Sequence, residues 1–101
     1  MPYQRIVCFK FKAGASDKSI RFHMQSFSAL KETIPQIVSY SGGLTTPEKP
    51  GDVPKFDSLH YLTFAAEADI TQYHDHPAHL QFIKDNQAIW EDVLVLNAPI
   101  E

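Results

Sequence analysis

At 101 residues the chain is about the length of one domain, long enough for a single core and too short for a second. Hydrophobic residues at 44% and charged residues at 21% are ordinary for a folded globular protein and exclude a disordered or low-complexity chain. A net charge of -3 with nine scattered Lys and Arg leaves no basic stripe for phosphate contacts, so neither nucleic acid nor an anionic membrane surface is an expected partner. No apolar run approaches the roughly 18 residues needed to span a bilayer, and Met1 to Arg5 lacks a secretion-signal pattern. Cys8 is the sole cysteine and cannot form an intrachain disulfide, which fits a soluble cytoplasmic protein. Set in an apolar strand with no histidine near it in sequence, Cys8 reads as packing.

In chain order, Tyr3 to Phe11 alternates Tyr3, Arg5, Val7, Phe9 and Phe11 against Gln4, Ile6, Cys8 and Lys10. Apolar side chains on both faces predict a strand covered on two sides. Ser16-Asp17 suits a helix start, and Ile20, Met24, Phe27, Leu30 and Ile34 recur at helical spacing until Pro35 stops them. A second strand is expected at Ile37 to Ser41, ending at Gly42-Gly43. Pro47, Pro50, Gly51 and Pro54 then make residues 44 to 55 a long loop. Phe56 to Phe64 alternates again, with Ser58, His60, Leu62 and Phe64 on one face. Glu67 to His74 predicts a short helix, Pro77 the start of another reaching about Ala88, and Val93 to Leu96 the last strand. The order β-α-β-β-α-β is ferredoxin-like, an α+β fold with helices on one face of an antiparallel sheet. The other face would be bare and apolar, so a second copy in a two-fold dimer is expected to cover it.

The densest chemistry lies in residues 73 to 82, Tyr-His-Asp-His-Pro-Ala-His-Leu-Gln-Phe, with three imidazoles and a phenol. His74, His76 and His79 invite a metal reading. On one helix His74 and His76 would lie about 200° apart, leaving only His76 and His79 on a shared face, and Asp75 faces away. Zinc and iron centres usually take three protein ligands, so no metal or other cofactor is expected. His76, before a proline at a helix start, is expected to fix the turn locally.

The run Ile6 to Lys12, the Ile34-Pro35 helix end, and His76-Pro77-Ala78-His79 followed by Phe82 resemble the stress-responsive A/B barrel (Dabb) family over essentially the whole chain. The resemblance implies a dimeric α+β barrel of this length. Through Tyr73, the His-Pro-Ala-His run and Trp90-Glu91, the chain is similar to the family's polyketide cyclases, which implies Tyr73 and His79 as the catalytic pair. Pocket histidines of those cyclases correspond here to Arg5 and Ser58, with His23 and His60 as relocated candidates. The implied substrate-binding set is therefore Arg5, Val7, Phe9, His23, Phe27, Ser58, His60, His76, Phe82 and Trp90.

The chemistry fits these residue types. An imidazole takes and returns a proton near neutral pH, and a protonated phenol donates a hydrogen bond. In an aldol-type ring closure, His79 would remove the acidic proton between two carbonyls and Tyr73 would stabilise the developing oxyanion. Six residues on one uninterrupted helix lie about 120° apart, too far to converge, but a break at Pro77 lets both side chains reach one cavity. The expected substrate is a small hydrophobic, polyketide-like poly-β-carbonyl compound, for which an upstream synthase would be the source. A non-catalytic small-ligand or stress-associated binding protein would need the same cavity. A haem-degrading monooxygenase on the related dimeric barrel would also use a histidine near a helix and a tryptophan.

Overall fold

Alternating side chains in the first strand set the frame. The computed structural model describes residues 1–101 and has β1 (Tyr3–Phe11), α1 (Asp17–Thr33), β2 (Ile37–Leu44), β3 (Ser58–Phe64), α2 (Ala68–Asp75), α3 (Pro77–Asn86), a 3-10 turn (Gln87–Ile89) and β4 (Trp90–Pro99). The four strands form one antiparallel sheet in the order β2-β3-β1-β4, the ferredoxin-like arrangement expected from the sequence. In register, Val7 lies opposite His60 and Val95, and Arg5 lies opposite Leu62 and Asn97. Side chains alternate across a pleated strand, so Arg5, Val7, Phe9 and Phe11 share one face with Ser58, His60, Leu62 and Phe64.

That face carries the core. Val7, Phe9, Phe11, Leu62 and Phe64 are buried with Phe27, Leu30 and Ile34 from α1 and its end, and with Tyr73 and Phe82 from α2 and α3. Helix α1 starts where Ser16 accepts a hydrogen bond from the Ser19 N–H at 3.1 Å. It ends at Ile34, held extended ahead of Pro35. Within the chain β1 is covered by helices on one face only. The opposite face leaves Leu59, Leu94 and Leu96 exposed beside Ile6, Cys8 and Tyr61.

Several boundaries differ from the expectation, and strand β3 starts at Ser58 instead of Phe56. Strand β2 runs through Gly42-Gly43 to Leu44, because Gly42 and Gly43 still pair with His60 and Leu59. Strand β4 extends from Trp90 to Pro99 along the whole of β1, apart from an irregularity between Lys10 and Phe11. The last helix stops at Asn86 and tightens into the 3-10 turn instead of reaching Ala88.

Candidate active site

The helical backbone breaks between α2 and α3 at a single residue. His76 has φ -63° and ψ 137°, is the last cap of α2 and the first of α3, and its Nδ1 accepts the Ala78 N–H at 3.0 Å. Pro77 follows at the first helical position, where a missing amide hydrogen removes no bond. The break turns Tyr73 and His79 toward each other, with ring centroids 4.5 Å apart. Both are buried, at 1% and 6% exposure.

Backbone geometry assigns the histidine's protons. His79 Nδ1 lies 2.9 Å from the His74 carbonyl oxygen, which can only accept, so Nδ1–H donates and the free lone pair sits on Nε2. Burial pushes the His79 pKa below the usual imidazole range, against the pull of the His74 carbonyl, so the ring is neutral at pH 7. Burial pushes the Tyr73 phenol up to about 12 despite the nearby Arg5 guanidinium, so it stays protonated. A neutral acceptor and a neutral donor thus stand side by side.

They share the wall of a cavity of about 150 Å³ whose other lining is almost entirely apolar: Val7, Phe9, Phe27, Phe82, Ile83, Trp90, Val93 and Val95, with Arg5 and the exposed His74. Arg5 places its guanidinium carbon 5.7 Å from the centre of the Tyr73 ring and donates from Nη1 to Asn97 Oδ1 at 3.0 Å. A larger groove beside Lys10, Lys12, Asp17 and Arg21 is open to solvent and has no histidine or tyrosine on its wall.

Eight of the twelve expected site residues therefore meet at one cavity: Arg5, Val7, Phe9, Phe27, Tyr73, His79, Phe82 and Trp90. Four lie elsewhere, which corrects their expected placement. His76 caps α3 at the surface side of the break. His60 is stacked under Phe27 at 4.0 Å, with Nδ1 2.7 Å from the Tyr40 hydroxyl and Nε2 3.3 Å from Ser58 Oγ. Ser58 is consumed in that arrangement. His23 is fully buried among Phe9, Phe11 and Phe82, and neither of its ring nitrogens has a hydrogen-bond partner. Burial lowers the His23 pKa to about 4, and burial with neighbouring His23 lowers that of His60 to about 3. His23 and His60 contact rings that line the cavity, Ser58 is bonded to His60, and none of the three lines it.

The imidazoles of residues 74 to 79 do not converge. His74 Nδ1 faces Asp75 at 3.5 Å, His76 Nδ1 holds the Ala78 amide, and His79 Nδ1 holds the His74 carbonyl. No group of three or more His, Cys, Asp or Glu side chains is placed to hold a metal ion. No helix is long and apolar enough to cross a membrane.

Sequence reasoning missed Tyr40, Asn97, Ile83, Val93 and Val95. The strand residues become neighbours of the site through register, Asn97 opposite Arg5 and Val93 opposite Phe9. Alternation of Val93 and Val95 with Leu94 and Leu96 was the available signal, although it does not say which set faces the helices.

Comparison with known proteins gives the chain its relatives. The family described as Stress responsive A/B Barrel Domain (Dabb) matches residues 4–99. Among solved structures, a hydroxynitrile lyase from Passiflora edulis superposes with a TM-score of 0.88 at 24% identity, covering 99% of this chain and 94% of that one. A dimeric ferredoxin-like protein of unknown function from Thermobifida fusca gives 0.84 at 18% identity, covering 99% and 92%. A Dabb family protein with a ferredoxin-like fold from Mesorhizobium loti gives 0.79 at 19% identity, covering 99% and 98%. At these identities the shared property is the fold. No curated protein matches the chain.

Proposed function

The chain belongs to the stress-responsive A/B barrel family, and from that membership and the convergent imidazole and phenol we propose that it is a cofactor-independent, polyketide cyclase-like enzyme that closes a ring by aldol-type acid-base catalysis. His79 Nε2 removes the acidic proton between two carbonyls of a poly-β-carbonyl substrate. The carbanion attacks a second carbonyl of the same molecule, and the Tyr73 hydroxyl donates to the oxygen on which charge develops. The protonated His79 then returns its proton to that oxygen, so the carbon-carbon bond forms without net proton change. An apolar wall strengthens both interactions by excluding water. The observation that carries this reading is the 4.5 Å approach of Tyr73 and His79 across the helix break, on the wall of an apolar cavity.

Cavity size narrows the substrate. Ligand pockets commonly run from about 300 to 1,000 Å³, and the cavity here is about 150 Å³, so the reacting part is no larger than about one ring. The same volume favours a second reading, in which the pair runs the reverse chemistry. His79 would take a hydroxyl proton while the adjacent carbon-carbon bond breaks to leave a carbonyl, and would then give that proton to the departing carbanion, as the hydroxynitrile lyase neighbour suggests by its name. The unit proposed to carry the site is a homodimer formed through the open sheet face, in keeping with neighbours described as dimeric.

Product formation from a reactive poly-β-ketone tests the cyclase, with release of an aldehyde from an aromatic hydroxynitrile as the second assay. His79→Ala and Tyr73→Phe should each abolish most of whichever activity is present while circular dichroism stays native. Unchanged rates in both variants would remove Tyr73 and His79 as the catalytic pair, and no product from either substrate would leave a non-catalytic small-ligand-binding protein as the reading.

A further inference from the structure

The cavity holds one full charge that nothing in the chain balances. Arg5 is buried at 9% exposure on the helix-covered face of β1. A guanidinium presents five N–H donors and remains protonated at any ordinary pH. Its polar partners are neutral, Asn97 Oδ1 accepting from Nη1 and the Tyr73 hydroxyl lying against it, and the buried Nε has no partner. The chain's two close ion pairs, Lys10–Asp57 and His74–Asp75, leave it out. Asn97 is on the neighbouring strand and Tyr73 lies under the guanidinium, so the group is held in place without being neutralised. A second copy packed on the open sheet face would not supply a carboxylate, because Arg5 points to the other face.

A buried charge without a counter-ion is strongly unfavourable, and the usual resolution is a paired anion. Arg is suited to a carboxylate, whose two oxygens match its planar fork. The rest of the wall is apolar, and a cavity of about 150 Å³ has the volume that admits a benzene-sized body. We infer that the cavity takes a small apolar monocarboxylate, its carboxylate paired with Arg5 and its ring or branched body against Phe9, Phe82 and Trp90. This rests on the cavity being a substrate site and gives that substrate a class: an anion-terminated molecule, held so that the carbons beyond the carboxylate face Tyr73 and His79.

Trp90 is the only tryptophan and lies 4.8 Å from Phe9 on the cavity wall, so its fluorescence reports occupancy. The wild-type protein should show saturable quenching by benzoate, with benzamide, an uncharged molecule of the same shape, binding at least tenfold more weakly. Arg5→Met should abolish that preference and Arg5→Lys should keep part of it. Equal binding of benzoate and benzamide by the wild-type protein, or no saturable benzoate binding, would overturn the inference, and neither result depends on how the Arg5 variants fold. Binding is read without turnover. Inactive chemistry with intact benzoate selectivity would therefore sink the proposed reaction alone, and active chemistry without selectivity would sink the anion site alone.

Discussion

His79 and Tyr73 show how much the surroundings of a residue add to its type. An exposed imidazole is an indifferent base, but here the His74 carbonyl fixes the proton on Nδ1 and directs Nε2 outward. His79→Ala should lower turnover by about 10²- to 10⁴-fold, the usual contribution of a positioned base. Tyr73→Phe should lower it by about 10²- to 10³-fold. As the proposed base, His79 works deprotonated, and its pKa lies below the ordinary value. A profile of kcat/KM should therefore have its acid limb centred below the ordinary imidazole value of about 6.5; an acid limb centred above 7 would speak against His79 as base. Gly42 is a different case. A Cβ there would overlap the Tyr40 hydroxyl and come within 3.0 Å of both His60 Nδ1 and the Leu59 carbonyl oxygen. Gly42→Ala should destabilise the fold by about 1–3 kcal/mol in urea unfolding, with Tyr40→Phe in the same chain recovering part of the loss. The Tyr73 and His79 pair was legible through the family resemblance of its short run, and the proline between them made their convergence possible. The displacement of His23, Ser58 and His60 was not, because Phe9 and Phe27 come between them and the cavity only once sheet and helix are packed.

At the scale of elements, the junction of α2 and α3 is what aims the site. His76 was expected to fix the turn and also to touch substrate, and its Nδ1 bond to the Ala78 amide accounts for the first role. His76→Ala should cost about 1 kcal/mol of stability, as loss of a helix cap does. His76→Asn, which can accept the same N–H, should restore both stability and turnover. If Asn restored stability alone, His76 would have a further role at the substrate. Both ends of α1 were readable from Ser16 and Pro35, since capping and proline act within a few residues. The lengths of β2 and β4 were not. Gly42-Gly43 reads as a chain break when taken alone, yet the backbone bonds to β3 carry the strand through it.

For the whole molecule, the open sheet face governs assembly. Leu59, Cys8 and Leu94 lie in one row across three strands, and Leu59 and Leu94 remain exposed in the single chain. A proposed dimer would bury that row, so Leu94→Glu, placing one carboxylate from each copy in an apolar interface, should weaken association by at least about 100-fold in sedimentation. A variant that stays dimeric at the same concentration would remove this face as the interface. The buried histidines also set a pH dependence for the fold. With folded pKa values near 4 for His23 and 3 for His60 against about 6.5 unfolded, the unfolded chain binds more protons between these values. The stability from keeping them neutral is fully present above pH 6.5 and is lost as pH falls, by up to about 1.4 kcal/mol per pH unit for each histidine. Urea midpoints at pH 7.5 and 5 should differ accordingly, and His60→Phe should flatten the dependence.

Strand alternation, helix spacing and the proline stops depend on neighbours a few residues apart, so the sequence by itself determined the order of elements and the ferredoxin-like class, and the resemblance carried by the His-Pro-Ala-His run pointed to Tyr73 with His79. Register across strands and the interposition of rings depend on residues far apart in the chain, 92 positions in the case of Arg5 and Asn97. Only the tertiary structure could therefore decide that His23 and His60 form a sealed cluster and that Arg5 stands charged and uncompensated in a cavity barely larger than one ring.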